Sequence, residues 1–173
     1  MRGVRLAPRT AKGSYLEISL KILIGYDGLI PSNAAIDDLP RAGLPREAEA
    51  VVMSVAELPP PSFYEMTPAP VVESLPGGVD GARVLASRAS ERVQALFPQW
   101  KVRSEARVGS PARELVREAD VWKADLIVVG SHGRSGLERV FLGSVSQAIV
   151  TNARSAVRVA RGGSPSAGPS NPK

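Results

Sequence analysis

Apolar residues fall in short blocks along this chain, and the spacing within each block separates strands from helices. Ile18, Leu20, Ile22 and Ile24 lead into a continuous core, Ile22-Leu23-Ile24, and the block stops at Asp27-Gly28. This predicts a first strand buried at its centre. Ala50 to Val55 predicts a second strand. Leu126 to Val129, Leu-Ile-Val-Val, is too short for a helix and rich in β-branched residues, as a strand buried on both faces requires. Trp100, Val102, Ala106 and Val108 instead alternate with Lys101, Arg103, Glu105 and Arg107, the pattern of a half-exposed strand at a sheet edge. Ala156 to Ala160 predicts a short last strand.

Helical spacing fills the intervals. Ser32 is placed to cap a helix through Asn33, Ala34, Ala35, Ile36 and Leu39, about two turns long before Pro40 interrupts it. From Ala82 to Phe97, Leu85, Ala86, Ala89, Val93, Leu96 and Phe97 share one face, closed by Pro98. Ser110-Pro111 offers a capping hydroxyl and a first-turn proline to a helix whose inner stripe is Leu115, Val116, Ala119 and Trp122. Val145, Ala148, Ile149 and Asn152 mark a last helix with Ser144 at its mouth. Strands and helices alternate throughout, which predicts a right-handed, doubly wound α/β sheet. The Pro-rich stretch Leu58 to Gly81 cannot be a continuous helix, and its length in a compact domain suggests a flap near a pocket or a surface excursion.

Composition narrows the chemistry. The 173 residues, 43% of them hydrophobic, suffice for one domain with a sizeable core. No cysteine is present, which excludes disulfides and thiolate metal sites, and one histidine leaves little for a zinc or Ser-His-Asp centre. No apolar run approaches the roughly 20 residues needed to cross a bilayer, so the expectation is no membrane contact and a cytoplasmic location. The net charge of +5 invites a nucleic-acid reading. Yet Arg2, Arg5, Arg9, Lys12, Arg161 and Lys173 lie in terminal stretches without an acid, and without them the body carries no basic surplus. The expected organisation is a basic tail over 1–14, one folded domain over 15–161 and a loose tail over 162–173, with no specific nucleic-acid partner.

The candidate chemistry lies in Ala124 to Arg154. The strand stops at Gly130, glycines recur at Gly133, Gly136 and Gly143, and the helical stripe begins after Gly143-Ser144. Strand, glycine-rich loop and helix N-terminus together let backbone N–H groups approach an anion without Cβ atoms in the way, and phosphate suits such a cradle. Each piece also has an ordinary structural meaning. Asp27-Gly28 is a common turn, Ser144 a common helix cap, His132 and Arg134 common loop residues, and Trp100 and Trp122 packing residues.

The spacing Gly130-x-x-Gly133, nine residues, Gly143-Ser144 resembles the nucleotide-binding signature of the universal stress protein family, in its ATP-binding subgroup, and the resemblance runs from Lys21-Ile22-Leu23-Ile24-Gly25-Tyr26-Asp27-Gly28 to the final strand near Arg161. It implies a single-domain, five-stranded parallel sheet of order 3-2-1-4-5 with helices on both faces, and a crevice between the first and fourth strands. By this resemblance Asp27 would bind the nucleoside end, with Gly25 and Tyr26 on the adjacent backbone and Val55 lining the adenine slot. Val129, Gly130 and Gly133 would border the ribose and phosphates, and Gly143, Ser144 and Val145 would offer N–H groups to phosphate oxygens, with Arg134 or Arg139 adding charge. ATP is the implied ligand, with Mg2+ arriving on the triphosphate. The implied role is regulation in a stress response through nucleotide-dependent conformation or an unidentified protein partner. The alternatives are a slow ATPase or relative of nucleotidyl-transfer enzymes, and an interaction protein with an empty pocket. Two departures stand out: Leu29 occupies a position where the family usually has serine, and Ala156 and Arg158 replace the proline-containing apolar stretch of the last strand. A charge on an edge strand discourages pairing, but a homodimer is still the implied assembly.

Overall fold

The computed structural model describes residues 19–57, 78–131 and 142–161. Five parallel strands form one sheet: β1 (Leu20–Gly25), β2 (Ala48–Ala56), β3 (Lys101–Val108), β4 (Leu126–Gly130) and β5 (Ala156–Ala160), in the spatial order β3-β2-β1-β4-β5. The expected order is therefore the observed one. Helices α1 (Ile30–Asp38), α2 (Val79–Leu96), α3 (Pro111–Trp122) and α4 (Ser144–Asn152) connect them. No described helix is long and apolar enough to cross a membrane.

The central strand explains the two layers. On β1, Ile22 and Ile24 face a cluster with Ala35 and Ile36 of α1 and Ala89 and Val93 of α2, while Leu23 faces Leu115 and Ala119 of α3 and Ile149 of α4. All three β1 residues are fully buried. Each contributes about 1.5–3 kcal/mol from water exclusion. The chain leaves β1 toward β2 with α1 on one face and leaves β4 toward β5 with α4 on the other, so the connections diverge between β1 and β4.

Local chemistry sets the helix boundaries. The first helix begins at Ile30, earlier than the Ser32 cap expected from sequence, because Pro31 is tolerated in a first turn that has no N–H acceptor to satisfy. Leu29 is the cap residue, and Ser32 lies inside the helix with its hydroxyl donating to the Leu29 carbonyl at 2.9 Å. Pro40 ends the α-helix, and the chain tightens into a 3-10 turn over Leu39–Arg41. Strand β2 runs from Ala48 to Ala56, slightly longer at both ends than its apolar block. Helix α2 starts at Val79 rather than Ala82, so residues 79–81 of the expected Pro-rich excursion are helical and 58–77 lie outside the described residues. Ser110 occupies the cap position of α3 but makes no side-chain cap bond there, so Pro111 is the part of that start signal that acts.

The two sheet edges differ. On β3, Arg103, Glu105 and Arg107 join Glu118 of α3 in an ion-pair network. Trp100 is buried just before this strand, stacked on Phe97 with ring centroids 3.9 Å apart and donating from Nε1 to the Pro45 carbonyl. Trp122 lies under two cations, Lys21 and Arg103, at 5.7 and 5.4 Å from its ring. On β5, the Arg158 guanidinium turns toward α1 and donates from Nε and Nη2 to one Asp38 carboxylate oxygen at 3.0 and 2.5 Å. Asp38 ends α1, where a negative charge opposes the helix dipole, and Arg158 offsets it.

Candidate functional site

Strand register brings the sequence-distant segments level with one another. Ile24 pairs with Val128 and Gly25 with Met53, so Tyr26 and Asp27 just beyond β1, Gly130 at the end of β4, Ser131 just beyond it and Val55 near the end of β2 all lie at the carboxyl edge of the sheet. This is where the strand order reverses and where open α/β sheets take their ligands.

On the β1 side, the Tyr26 N–H extends the pairing with β2 by donating to the Met53 carbonyl at 2.9 Å. Asp27 is exposed, and its Oδ1 accepts the Leu29 N–H at 3.0 Å in a tight side-chain-to-backbone turn. Gly28 holds φ at +81°, and a side chain there would also press on Leu85 of α2 at 3.0 Å. Gly25 has a packing reason of its own, since a Cβ would sit 2.9 Å from a Leu115 methyl and 3.0 Å from one of Val129. Val55 is half-buried against the α3/α4 layer.

On the β4 side, Gly130 makes room for another helix. A Cβ there would lie 2.6 to 2.8 Å from the backbone of Pro31 and Ser32, so α1 crosses the end of β4 in direct main-chain contact. Ser131 follows, buried, with its N–H donating to the Ala160 carbonyl at 2.8 Å. Its own carbonyl accepts the Gly143 N–H at 2.6 Å and the Ser146 hydroxyl at 3.1 Å. The start of α4 is thereby clasped to the end of β4.

The cap of α4 is Gly143, with Ser144 as the first helical residue, which differs from the cap role that sequence gave Ser144. The first helical bond runs from the Gln147 N–H to the Gly143 carbonyl at 2.8 Å. The N–H groups of Ser144, Val145 and Ser146 consequently have no acceptor within the helix and lie at its positive end. Ser144 is exposed, and Gly143 and Val145 are half-buried. Gly133, His132, Arg134 and Arg139 lie outside the described residues.

Sequence reading did not find Ser131 and Ser146, the pair that fixes the α4 entry, nor Asn33 and Arg92, which brace the Asp27 turn. Small polar residues at buried helix positions give no periodic signal. Among the described residues there is no cluster of three acidic or histidine side chains able to hold a metal ion. Hollows of about 440 Å3 beside Ser90 and Val102 and of about 510 Å3 between α3 and α4 lie on the helical flanks, and none of the site residues expected from sequence lines them.

Comparison with known proteins places this architecture. A universal stress protein of Mycolicibacterium smegmatis is 32% identical over 148 residues, covering 82% of this chain and 46% of its own length. One from Methanocaldococcus jannaschii is 41% identical over 75 residues, 42% of this chain and 44% of its own. The chain spans about half the length of these curated relatives. Among solved structures, an Arabidopsis thaliana universal stress family protein with AMP bound aligns with TM-score 0.60 at 14% identity, covering 86% of this chain and 97% of that one. A universal stress protein in complex with cAMP aligns at 0.53 and 21% identity, covering 84% and 98%. At these identities the structures share the fold with this chain. Residues 19–161 match the profile of the universal stress protein family, and with the sheet order and the relatives above they establish that the chain belongs to it.

Proposed function

We propose that this protein binds an adenine nucleotide, ATP in the first place, in the crevice between β1 and β4, and that the bound state serves a regulatory role in stress response. The observation that carries the reading is the Ser131 clasp, which holds the start of α4, with its open N–H groups, at the end of β4, the strand paired with β1. The sequence expectation that Gly143 donates to phosphate does not hold, because its N–H is committed to the Ser131 carbonyl. Phosphate oxygens would accept from the N–H groups of Ser144 and Val145 and from the Ser144 hydroxyl, and Gly133 belongs to the same cradle by the family signature. Asp27 is an acceptor, suited to the hydroxyls of the nucleoside end. Gly25, Tyr26, Val55, Val129 and Gly130 would border the sugar and base. Mg2+ would accompany the phosphates rather than occupy a protein cage. The AMP and cAMP complexes of fold relatives support an adenine nucleotide as the ligand class.

The test is to denature protein purified without added nucleotide, identify any released small molecule, and titrate the emptied protein with ATP by calorimetry. Gly143 has an extended backbone, φ −61° and ψ 159°, which valine also adopts, so Gly143→Val changes the phosphate approach without straining the chain. The expected result is adenine nucleotide released or bound by the wild type and binding weakened at least about tenfold in Gly143→Val. Wild-type protein that neither carries nucleotide nor binds ATP, or a variant that binds equally well, overturns the reading.

We further propose a cytoplasmic homodimer formed along the free edge of β5. Arg158 bears on this because its charge is committed to Asp38 above the sheet face, which removes the objection that it would repel a strand at that edge. Light scattering across a concentration series is expected to approach twice the chain mass. A monomer mass throughout would refute the assembly.

A further inference from the structure

The turn that presents Asp27 contains a glycine in the left-handed region, a conformation that glycine adopts at no steric cost and also leaves at none. Something else must hold it. Asn33, in the first turn and a half of α1, places its amide beneath this segment and uses both ends of the group. Its Nδ2 donates to the Leu29 carbonyl at 2.9 Å and to the Gly28 carbonyl at 3.3 Å. Its Oδ1 accepts from the Tyr26 hydroxyl at 3.0 Å and from Nη1 of Arg92 at 2.8 Å. Arg92 belongs to α2 and is itself anchored by an ion pair with Asp37 of α1. The amide thus joins the end of β1, the turn, α1 and α2.

We infer that Asn33 is the positioning residue for the nucleoside side of the crevice, with Arg92 fixing the orientation of its amide. The inference rests on the nucleotide reading above and adds a division of labour to it. Asn33 sets the Asp27 turn, and none of its described hydrogen bonds reaches the start of α4, so its loss acts on the nucleoside half of a ligand and leaves the phosphate half in place. An arginine donating to Oδ1 also dictates which way the amide faces, because a flipped amide would set two donors against each other. Nδ2 is thereby pointed at the turn.

The test uses the full chain and three probes titrated calorimetrically: adenosine, ATP and inorganic tripolyphosphate. Asn33→Leu removes donor and acceptor together, adds no charge and keeps a good helix former at the position. Asn33→Asp keeps the acceptor facing Arg92 and Tyr26, removes the donors to Gly28 and Leu29, and suits a helix N-terminus. Both variants are expected to weaken adenosine by about tenfold, and Asn33→Leu to leave tripolyphosphate within about twofold. Tyr26→Phe, which removes one of two donors to Oδ1, is expected to have a smaller effect of the same kind. Amide hydrogen exchange without ligand supplies the independent readout: residues 27–30 should exchange faster in both Asn33 variants while residues 144–147 keep wild-type rates. Equal weakening of adenosine and tripolyphosphate, or unchanged exchange over 27–30, overturns the positioning role. If the wild type binds none of the probes, the nucleotide reading falls, and the exchange rates still decide whether Asn33 holds the turn.

Discussion

At the β1 lip of the proposed crevice the turn is held largely by side chains, Asp27, Ser32 and Asn33 reaching its N–H and carbonyl groups, whereas at the β4 lip main chain dominates: Ser131 bonds Ala160 and Gly143 through its backbone, the Ser146 hydroxyl adds to the same carbonyl, and Gly130 has no side chain to hold α1 away. Side-chain bracing allows the first lip to be adjusted one residue at a time. The second lip has no such freedom, because backbone packs on backbone. In the proposed site, a phosphate half held mainly by main chain and a nucleoside half held by side chains would let the choice of nucleoside vary while the anion cradle is kept.

Substituting glycines tests this contrast most directly. Gly130→Ala would put a methyl group 2.6 to 2.8 Å from the Pro31 and Ser32 backbone, and since a helix must move to relieve it, a loss of about 2–3 kcal/mol is expected in urea unfolding. Gly25→Ala meets only side-chain methyls of Leu115 and Val129, which can rotate, and should cost about 1 kcal/mol. If the order were reversed, α1 would not be seated on β4 by main-chain contact, and the contrast between the lips would fail.

The sequence disclosed these parts unevenly. The five strands were legible because alternating and continuous apolar runs report which faces of a strand are buried, as Leu23 between Ile22 and Ile24 does. Glycine spacing marked the β4 lip because glycine admits close backbone approach, as Gly130 does against Pro31 and Ser32. The reason at Gly130 was not legible, since its neighbour is Pro31, far away in sequence and brought there by α1. Helix starts slipped for a related reason. Ser32 and Ser144 have capping chemistry, but the cap is decided by where the backbone leaves the extended region, at Leu29 and at Gly143. Asn33 and Arg92 meet only because α2 packs beside α1, and no period within either helix encodes a contact of that kind.

A smaller effect sharpens the comparison at the β4 lip. Ser146 is buried, and its hydroxyl reaches the carbonyls of Ser131 and Gly143 at 3.1 and 2.9 Å. Ser146→Ala leaves the Gly143 N–H on Ser131, so no carbonyl is orphaned, and the expected loss is about 1 kcal/mol. A loss several times larger would mean that the side chain, rather than the main chain, carries the clasp.

The bond between the Gly143 N–H and the Ser131 carbonyl also ties together the two points between which the chain must close a ring. Doubling the length of such a ring costs only about 0.6 kcal/mol in closure entropy. A change of length between these two anchors is therefore expected to cost little stability, while the sheet and α4 keep their places.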